Sequence, residues 1–554
     1  MKKREIEEYA KKEYDRWSLY AEDGQLQKEL REIAGNEEEV TDAFCTDLCF
    51  GTSGLRGILG PGTNRMNLYV IRRATRGLAA YLNGKYETPS VVIAYDSRKN
   101  SRLFAEETAA VLRGNDIEVF LFSDIAPVPL LSFSIGQLNA SMGVMITASH
   151  NPRIFNGYKV YNSSGYQIVG EEADSILKEI NKLDYFEETE RRYEGIHYVG
   201  RELSAAFLDK IVSLSTVRGN PSCCRNLSVV YTPLNGAGNR YVREAFRRIG
   251  IGCVHVVPSQ EYPDENFTTC PVPNPEKITA YGEGFKLLDE TESDLIIATD
   301  PDCDRVGVCL CHDGMKVLLT GNQLGILLLD YLCQVRRPAL GQIVIKSIVS
   351  APLIEKIAQR YGLRVISTLT GFKYIGEIIT WLDQRGRAAE YYFGFEESNG
   401  YLIDPFIRDK DGVSSAMAAA EMTAYYKSQG KDLIQRLEEI YREYGACRDR
   451  TYNYFFEGAR GREDMERIMA FFRSDVSETI GGRRIVEKTD YMGDTDLPKA
   501  NVIRFLLDNG TEFMIRPSGT EAKIKVYLFQ TEGDSTAEAV EKLIFEQAST
   551  SETR

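Results

Sequence analysis

Asp294-Leu-Ile-Ile-Ala298 is a short apolar run that passes through Thr299 into the acidic loop Asp300-Pro-Asp-Cys-Asp304-Arg305. The run is too short for a helix and suits a strand covered on both faces, so the acidic loop follows the carboxyl end of a buried strand. Upstream, the same unit begins with Leu227-Ser-Val-Val-Tyr231, turns through Asn235-Gly-Ala-Gly238 and continues as a helix through Arg248. An earlier unit has Val91-Val-Ile-Ala-Tyr-Asp96, a helix from Asn100/Ser101 to Gly114, a strand over 118–122, and Gly143-Val-Met-Ile146 closing in a polar loop at Thr147. A later one has Gln342-Ile-Val-Ile-Lys346, helices near 352–361 and 372–384, and a strand over 390–393 entering a polar loop. Strands alternating with helices in this way predict mostly parallel sheets covered by helices, with ligands beyond the carboxyl ends of the strands.

From about residue 446 the pattern turns strand-rich, with two helices, ending in an amphipathic segment over 535–549. The predicted fold class is α/β: three consecutive α/β domains with mixed, mostly parallel sheets, plus a C-terminal α+β domain. Residues 1–45 read as an N-terminal helical extension of one or two charged amphipathic helices, an appendage more than a core. The domains follow at 46–215, 216–318, 319–445 and 446–554. At roughly 150 residues per domain, the 554 residues are about 3.7 domains' worth of chain, which excludes a single compact domain.

The 67 Lys and Arg against 81 Asp and Glu leave a net charge of −14, without long single-sign blocks. Such a chain has no general attraction for nucleic acid or an anionic membrane, so any phosphate it binds must meet local positive pockets. No run of 18 apolar residues occurs, and the charged start Met1-Lys-Lys-Arg-Glu-Ile-Glu lacks the apolar centre of a secretory signal. A cytoplasmic location is expected. The 11 cysteines are scattered with no CxxC pair, and are expected to be reduced, buried small apolar residues.

Three carboxylates at alternate positions, Asp300, Asp302 and Asp304, suit a hard divalent cation that takes oxygen ligands, and Mg²⁺ is the expected ion. An EF-hand reading fails because Arg305 stands where that loop needs Gly and Cys311 where it needs Glu. Thr147-Ala-Ser149-His150-Asn151-Pro152 also closes a strand, which makes Ser149 a candidate nucleophile; the lesser alternative is that Ser, His and Asn only satisfy the backbone groups of a turn. A Ser-His-Asp hydrolase is disfavoured, because adjacent Ser and His rarely make the required hydrogen bond and no GxSxG is present. Arg516-Pro-Ser518-Gly519-Thr520-Glu521 combines a guanidinium, hydroxyls and a glycine-freed backbone, a phosphate cradle by inventory, although Ser518 and Glu521 also match a capping box. Gly394-Phe-Glu396-Glu-Ser398-Asn-Gly400 offers carboxylates and a hydroxyl suited to sugar hydroxyls, and Gly51-Thr-Ser-Gly-Leu-Arg56-Gly57 offers a turn carrying one arginine.

In this order, the five motifs together resemble the α-D-phosphohexomutase family. With Gly60-Pro-Gly-Thr-Asn-Arg-Met-Asn67, the resemblance is to its phosphoglucomutase branch, the one related to phosphopentomutase. It spans about 45–530 and implies four domains around one central cleft: phosphoserine, metal-binding, sugar-binding and phosphate-binding, in chain order. It also implies that Ser149 carries the transferable phosphoryl group and that Asp300, Asp302 and Asp304, with Ser149, hold Mg²⁺. Arg305, His150 and Lys159 match catalytic basic residues; Arg56, Lys373, Glu396 and Ser398 match substrate contacts; Arg516, Ser518, Gly519 and Thr520 match the distal phosphate site. One departure is Asn235 in Thr232-Pro-Leu-Asn235-Gly, where many members have histidine.

The implied activity interconverts glucose 1-phosphate and glucose 6-phosphate through a phosphoserine enzyme and a bound glucose 1,6-bisphosphate, which also serves as primer. Pentose or mannose phosphates are the alternative substrates, and a monomer or homodimer acting on small sugar phosphates is expected. A non-catalytic sugar-phosphate sensor would not need Ser149 beside a metal loop. A metal-dependent phosphatase would need water at the phosphoserine, which a four-domain cleft excludes.

Overall fold

The computed structural model describes residues 3–50, 54–217, 222–456, 461–518, 523–530 and 534–549, and within them the chain forms four sheets in sequence. The first is six-stranded, in the spatial order Gly54–Ile58, Phe155–Asn162, Met142–Ile146, Ser90–Tyr95, Glu118–Phe122 and Ile196–Val199. Its last four strands are parallel and its first two antiparallel. The second sheet runs Met315–Leu318, Val306–His312, Leu295–Thr299, Ser228–Thr232 and Cys253–Val256; the third runs Arg364–Thr368, Ile343–Ser347, Tyr391–Glu396 and Gly400–Leu402. Each has a parallel part and an antiparallel edge. The fourth sheet is antiparallel throughout, with Glu512–Pro517 paired to Lys523–Gln530 at its centre.

Ser90–Tyr95, Met142–Ile146, Leu295–Thr299 and Ile343–Ser347 are buried at every residue, as apolar strands sandwiched between helices must be. One apolar core runs through the first three sheets, while the fourth keeps its own around Phe472, Phe505 and Phe513. Because each buried strand ends in a polar loop, the loops at Ser149, Asp300 and Glu396 emerge on the same side of the assembly and meet. Val128 N donates to Asp302 O at 2.9 Å, and Val306 N donates to Asn399 O at 3.0 Å. No helix is long and apolar enough to cross a membrane, among the described residues.

Two expectations are corrected. The N-terminal segment forms three helices, Lys3–Tyr20, Gly24–Ile33 and Glu37–Phe44, and is not an appendage: their apolar faces belong to the core of the first sheet. Trp17, fully buried, stands against Phe44, Tyr69, Tyr185 and Phe186 with ring centroids 5.3 to 5.8 Å apart. Trp17→Ala is expected to lower the stability of this region by about 3–5 kcal/mol, read as an earlier first transition in urea unfolding; a change below about 1 kcal/mol would show that the helices are an appendage after all. The cysteines are free, but Cys49, Cys253 and Cys311 are exposed where burial is expected, because they fall on a loop, an edge strand and a strand end.

Candidate active site

Ser149 sits in the left-handed region, with φ of 52°, a conformation that costs a non-glycine residue energy and persists only where its surroundings hold it. The holder is Arg98. Its guanidinium donates to the carbonyls of Ser149, Asn151, Pro152 and Phe155, the last two at 3.1 Å each, and so grips the whole turn from inside. Asp96 fixes Arg98 in turn: it accepts from Arg98 N at 3.0 Å, Thr147 Oγ1 at 2.6 Å and Ser101 Oγ at 2.7 Å, and pairs with the guanidinium at 3.4 Å. Thr147 Oγ1 closes the circle by accepting from Ser149 N at 2.8 Å.

Held this way, Ser149 Oγ donates to Asp300 Oδ2 at 2.6 Å and lies 3.2 Å from His150 Nδ1. Burial pushes the His150 pKa well below its usual value, helped by the positive charges of Arg305, Arg56, Arg98 and Lys159, so the imidazole is neutral near pH 7. Arg56, on the strand that pairs with Phe155–Asn162, reaches over the turn to Asn151 Oδ1 at 3.2 Å.

Three helix amino termini meet the aspartate loop. Val128 N donates to Asp302 O, Ala237 N to Pro301 O and Gly412 N to Cys303 O, at 2.9, 2.8 and 3.0 Å. These groups begin or adjoin the helices Val128–Gln137, Gly238–Ile249 and Gly412–Lys427, whose positive dipole ends favour the loop's negative charge. A Cβ at position 412 would stand 2.4 Å from Cys303 O, so glycine lets the third helix approach.

Asp300, Asp302 and Asp304 are buried, with one oxygen from each within 4.8 Å of the others. Burial, with Asp302 and Asp304 beside it, raises the Asp300 pKa well above the carboxylate range. Burial would do the same to Asp304, but Lys410 and Lys159 outweigh it and hold that carboxyl low. Lys159 Nζ lies 2.8 Å from Asp302 Oδ2 and 3.5 Å from Asp304 Oδ2, and Lys410 Nζ lies 3.1 Å from Asp304 Oδ2. Oδ1 of Asp302 and of Asp304 are buried with no hydrogen-bond partner. Two orphaned carboxylate oxygens in an all-oxygen donor set fit a hard divalent cation. Arg305 pairs with Glu276, with its Nε 3.9 Å from Asp304 Oδ1.

A second cluster gathers the sugar-loop residues. Glu396 accepts from Gly371 N, and burial together with Glu397 raises its pKa to about 7. Lys373, the second residue of the helix Phe372–Asp383, is lowered to about 8 by burial, against the pull of Glu396 and Glu377. Glu397 Oε2 accepts from Ser347 Oγ at 2.9 Å, and Ser398 is half-buried in the same turn. Arg516 Nη1 donates to Thr370 Oγ1 at 2.5 Å, tying the fourth sheet to this cluster. Ser518 follows, its N–H donating to Lys523 O at 2.7 Å; Gly519 and Thr520 lie outside the described residues.

The structure thus brings Ser149, His150, Lys159 and the three aspartates together, sets Arg56 and Arg305 at their edge, and brings Glu396, Lys373 and Arg516 together beside them. Sequence reasoning missed Arg98, Lys410 and Lys525. Lys410 bridges the clusters, standing at Asp304 with Glu396 also raising its pKa against burial. Lys525 faces Arg516 across the fourth sheet, and burial plus the charges of Lys523 and Arg516 lowers its pKa, outweighing the pull of Glu397 and Glu276. The charge-dense run Arg408-Asp-Lys-Asp411 was the available signal for Lys410, and the alternation Lys523-Ile-Lys525 for the third.

Three family models match the chain: the alpha/beta/alpha domains I, II and III of phosphoglucomutase/phosphomannomutase, over residues 47–187, 205–313 and 320–444. A phosphoglucomutase of Staphylococcus haemolyticus is 35% identical over 529 residues, 93% of this chain and 95% of its own. One of Staphylococcus aureus strain MRSA252 is 35% identical over 526 residues, 92% of this chain and 94% of its own. Among solved structures, the Paramecium phosphoglucomutase parafusin in its open form superposes with a TM-score of 0.68 at 19% identity, covering 92% of this chain and 96% of its own. A phosphoglucomutase/phosphomannomutase family protein of Burkholderia thailandensis superposes at 0.66 with 17% identity, over 91% and 97%.

Proposed function

The chain belongs to the phosphoglucomutase/phosphomannomutase family, and from that premise we propose that it interconverts glucose 1-phosphate and glucose 6-phosphate through phospho-Ser149 and a bound glucose 1,6-bisphosphate. The observation that carries the reading is Ser149 Oγ, clamped by Arg98 in a left-handed turn, 2.6 Å from Asp300.

In the forward half-reaction the phosphorus–Oγ bond of phospho-Ser149 breaks as a bond forms to the 6-hydroxyl oxygen of glucose 1-phosphate. That hydroxyl's proton passes by way of neutral His150, 3.2 Å from Oγ, to the departing serine oxygen, which is left as the hydroxyl that donates to Asp300. Lys159 and Arg56 neutralise charge on the moving group, which phosphoryl transfer requires more than covalent chemistry. Asp300, Asp302 and Asp304, with Ser149, would hold Mg²⁺, which when bound supplies further neutralisation at the phosphoseryl oxygens. The bisphosphate then turns, the bond between phosphorus and the 1-oxygen breaks as the phosphoryl group passes to Ser149 Oγ, and the serine's proton returns by way of His150 to the sugar's 1-oxygen. Throughout, Arg516, Ser518, Lys525, Gly519 and Thr520 are proposed to hold the non-reacting phosphate, and Glu396, Ser398 and Lys373 the sugar. Sugar phosphates in the cytoplasm are the proposed partners, for a monomer or homodimer.

Glucose is the proposed preference. Ser347 holds Glu397 Oε2, so the other carboxylate oxygen can accept from a hydroxyl in one stereochemical position and is left unpaired by its epimer. Specificity constants for glucose, mannose and ribose 1-phosphates, primed with glucose 1,6-bisphosphate, test this. A higher value for ribose reverses the ranking, equal values for glucose and mannose remove the role of Glu397, and inorganic phosphate released at the rate of turnover makes the protein a phosphatase.

The two shifted groups of the sugar cluster set the pH dependence. Glu396 gains its accepting charge as pH rises through about 7, and Lys373 loses its charge above about 8. The profile of kcat/KM is therefore expected to be a bell with its top between those values, and Glu396→Gln to remove the acid limb apart from the phosphate's own ionisation near ~6. An acid limb unchanged in that variant would assign it elsewhere.

A further inference from the structure

Along the outer face of the helix Gly238–Ile249 runs a groove of about 800 Å³, closed on its other side by the start of the helix Arg201–Ser213. Every cation lining it is an arginine: Arg201, Arg240, Arg243, Arg247 and Arg248. In a chain of net charge −14 this is a local reversal of sign. Arg240, Arg243 and Arg247 fall on successive turns of one stripe, roughly 10 Å long at 1.5 Å rise per residue.

Ordinary helix design does not account for the stripe. Arg247 and Arg248 suit the negative dipole end, but Arg240 and Arg243 sit in the amino-terminal half, where positive charge is unfavourable, and like charges three and four residues apart repel. The acids nearby answer only part of the charge. Glu244 takes Arg247 and Arg248 at 2.7 and 2.8 Å, Asp209 also takes Arg248 at 2.6 Å, and Glu261 takes Arg243 at 2.5 Å. Arg201 and Arg240 have no ion pair among the described residues; Arg240 only overhangs the Tyr241 ring at 5.9 Å. Below the guanidinium groups the floor is apolar, made by Leu208, Ile251 and Val254. Volume, apolar floor and a few convergent charges are the makeup of a small-molecule site, and forked arginines in place of lysines match phosphate oxygens.

We propose that this groove is a ligand site distinct from the Ser149–Asp300 cluster, and that it takes a small polyphosphorylated molecule with an apolar body, of the nucleoside triphosphate class. The phosphates lie along the stripe of Arg240, Arg243 and Arg247, with Arg201 facing them, and the base rests on the apolar floor. A long polyanion is a worse fit, because it would extend beyond the groove along a chain of net charge −14.

Calorimetric titration of the full-length protein with metal-free ATP tests the site, beside inorganic tripolyphosphate and a single-stranded oligonucleotide. The expected result is one saturable ATP site, weakened about 10-fold or more in Arg201→Ala/Arg240→Ala by loss of two charge-assisted contacts. Arg516→Ala should leave ATP affinity unchanged, and turnover of glucose 1-phosphate in the double variant should equal that of the unaltered chain. Those two arginines make no ion pair among the described residues, so the variant is expected to fold normally. No saturation by about 5 mM ATP, or a loss of affinity in Arg516→Ala but not in the double variant, overturns the site. Tripolyphosphate binding as tightly as ATP overturns the role of the apolar floor, and tighter binding of the oligonucleotide overturns the ligand class.

Discussion

Ser149→Ala is expected to lower turnover on the order of 10,000-fold or more, the scale on which losing a covalent relay group reduces kcat. Affinity for glucose 1-phosphate should change little, since the distal cradle and the sugar loop lie on other domains. The fold should survive as well: alanine keeps the backbone groups gripped by Arg98 and Thr147, although a left-handed φ remains strained for any side chain with a Cβ. Mass mapping of the unaltered, primed protein should place one phosphoryl group on Ser149. Near-normal turnover of the variant, or phosphate mapped to another serine, would remove Ser149 from the centre of the mechanism.

Asp300→Asn is expected to lower kcat by about 100- to 1,000-fold, the usual effect of removing one preorganised electrostatic contact at a reacting oxygen. Asparagine keeps an oxygen for the N–H groups of Asp304 and Arg305, which donate to Asp300 Oδ1 at 3.1 and 2.9 Å, so the loop should keep its shape. It loses the negative charge, and with it affinity for a divalent cation; more Mg²⁺ should be needed for half-maximal rate. Stability should shift by less than about 1 kcal/mol, because the change also relieves crowding among three buried carboxylates. Full activity of the unaltered protein after exhaustive chelation would refute the metal role.

The N-terminal helices illustrate where local pattern misleads. Their charged faces are plain in the sequence and suggest an appendage, yet Trp17 is buried among rings contributed by residues 44, 69, 185 and 186. Amphipathic spacing says that a helix has an apolar face, not which partner covers it. Conversely, Leu295–Thr299 and the acidic loop after it were legible at once, because a short apolar strand and the carboxylates it delivers are neighbours in the chain.

By itself, the amino-acid sequence determined the alternation that makes three α/β domains and a strand-rich fourth, the family, and the loops that carry Ser149, the aspartates, Glu396 and Arg516. Only the tertiary structure decided which of these touch. It set Ser149 against Asp300 across 151 residues of chain, put Lys410 between the aspartates and Glu396, turned Arg305 to Glu276, and aimed three helix amino termini at one loop. The division has a physical cause: hydrophobic period and turn chemistry act over a few residues and are written locally, whereas a buried charge is satisfied by whichever groups the packed domains bring within about 3 Å, at any separation along the chain.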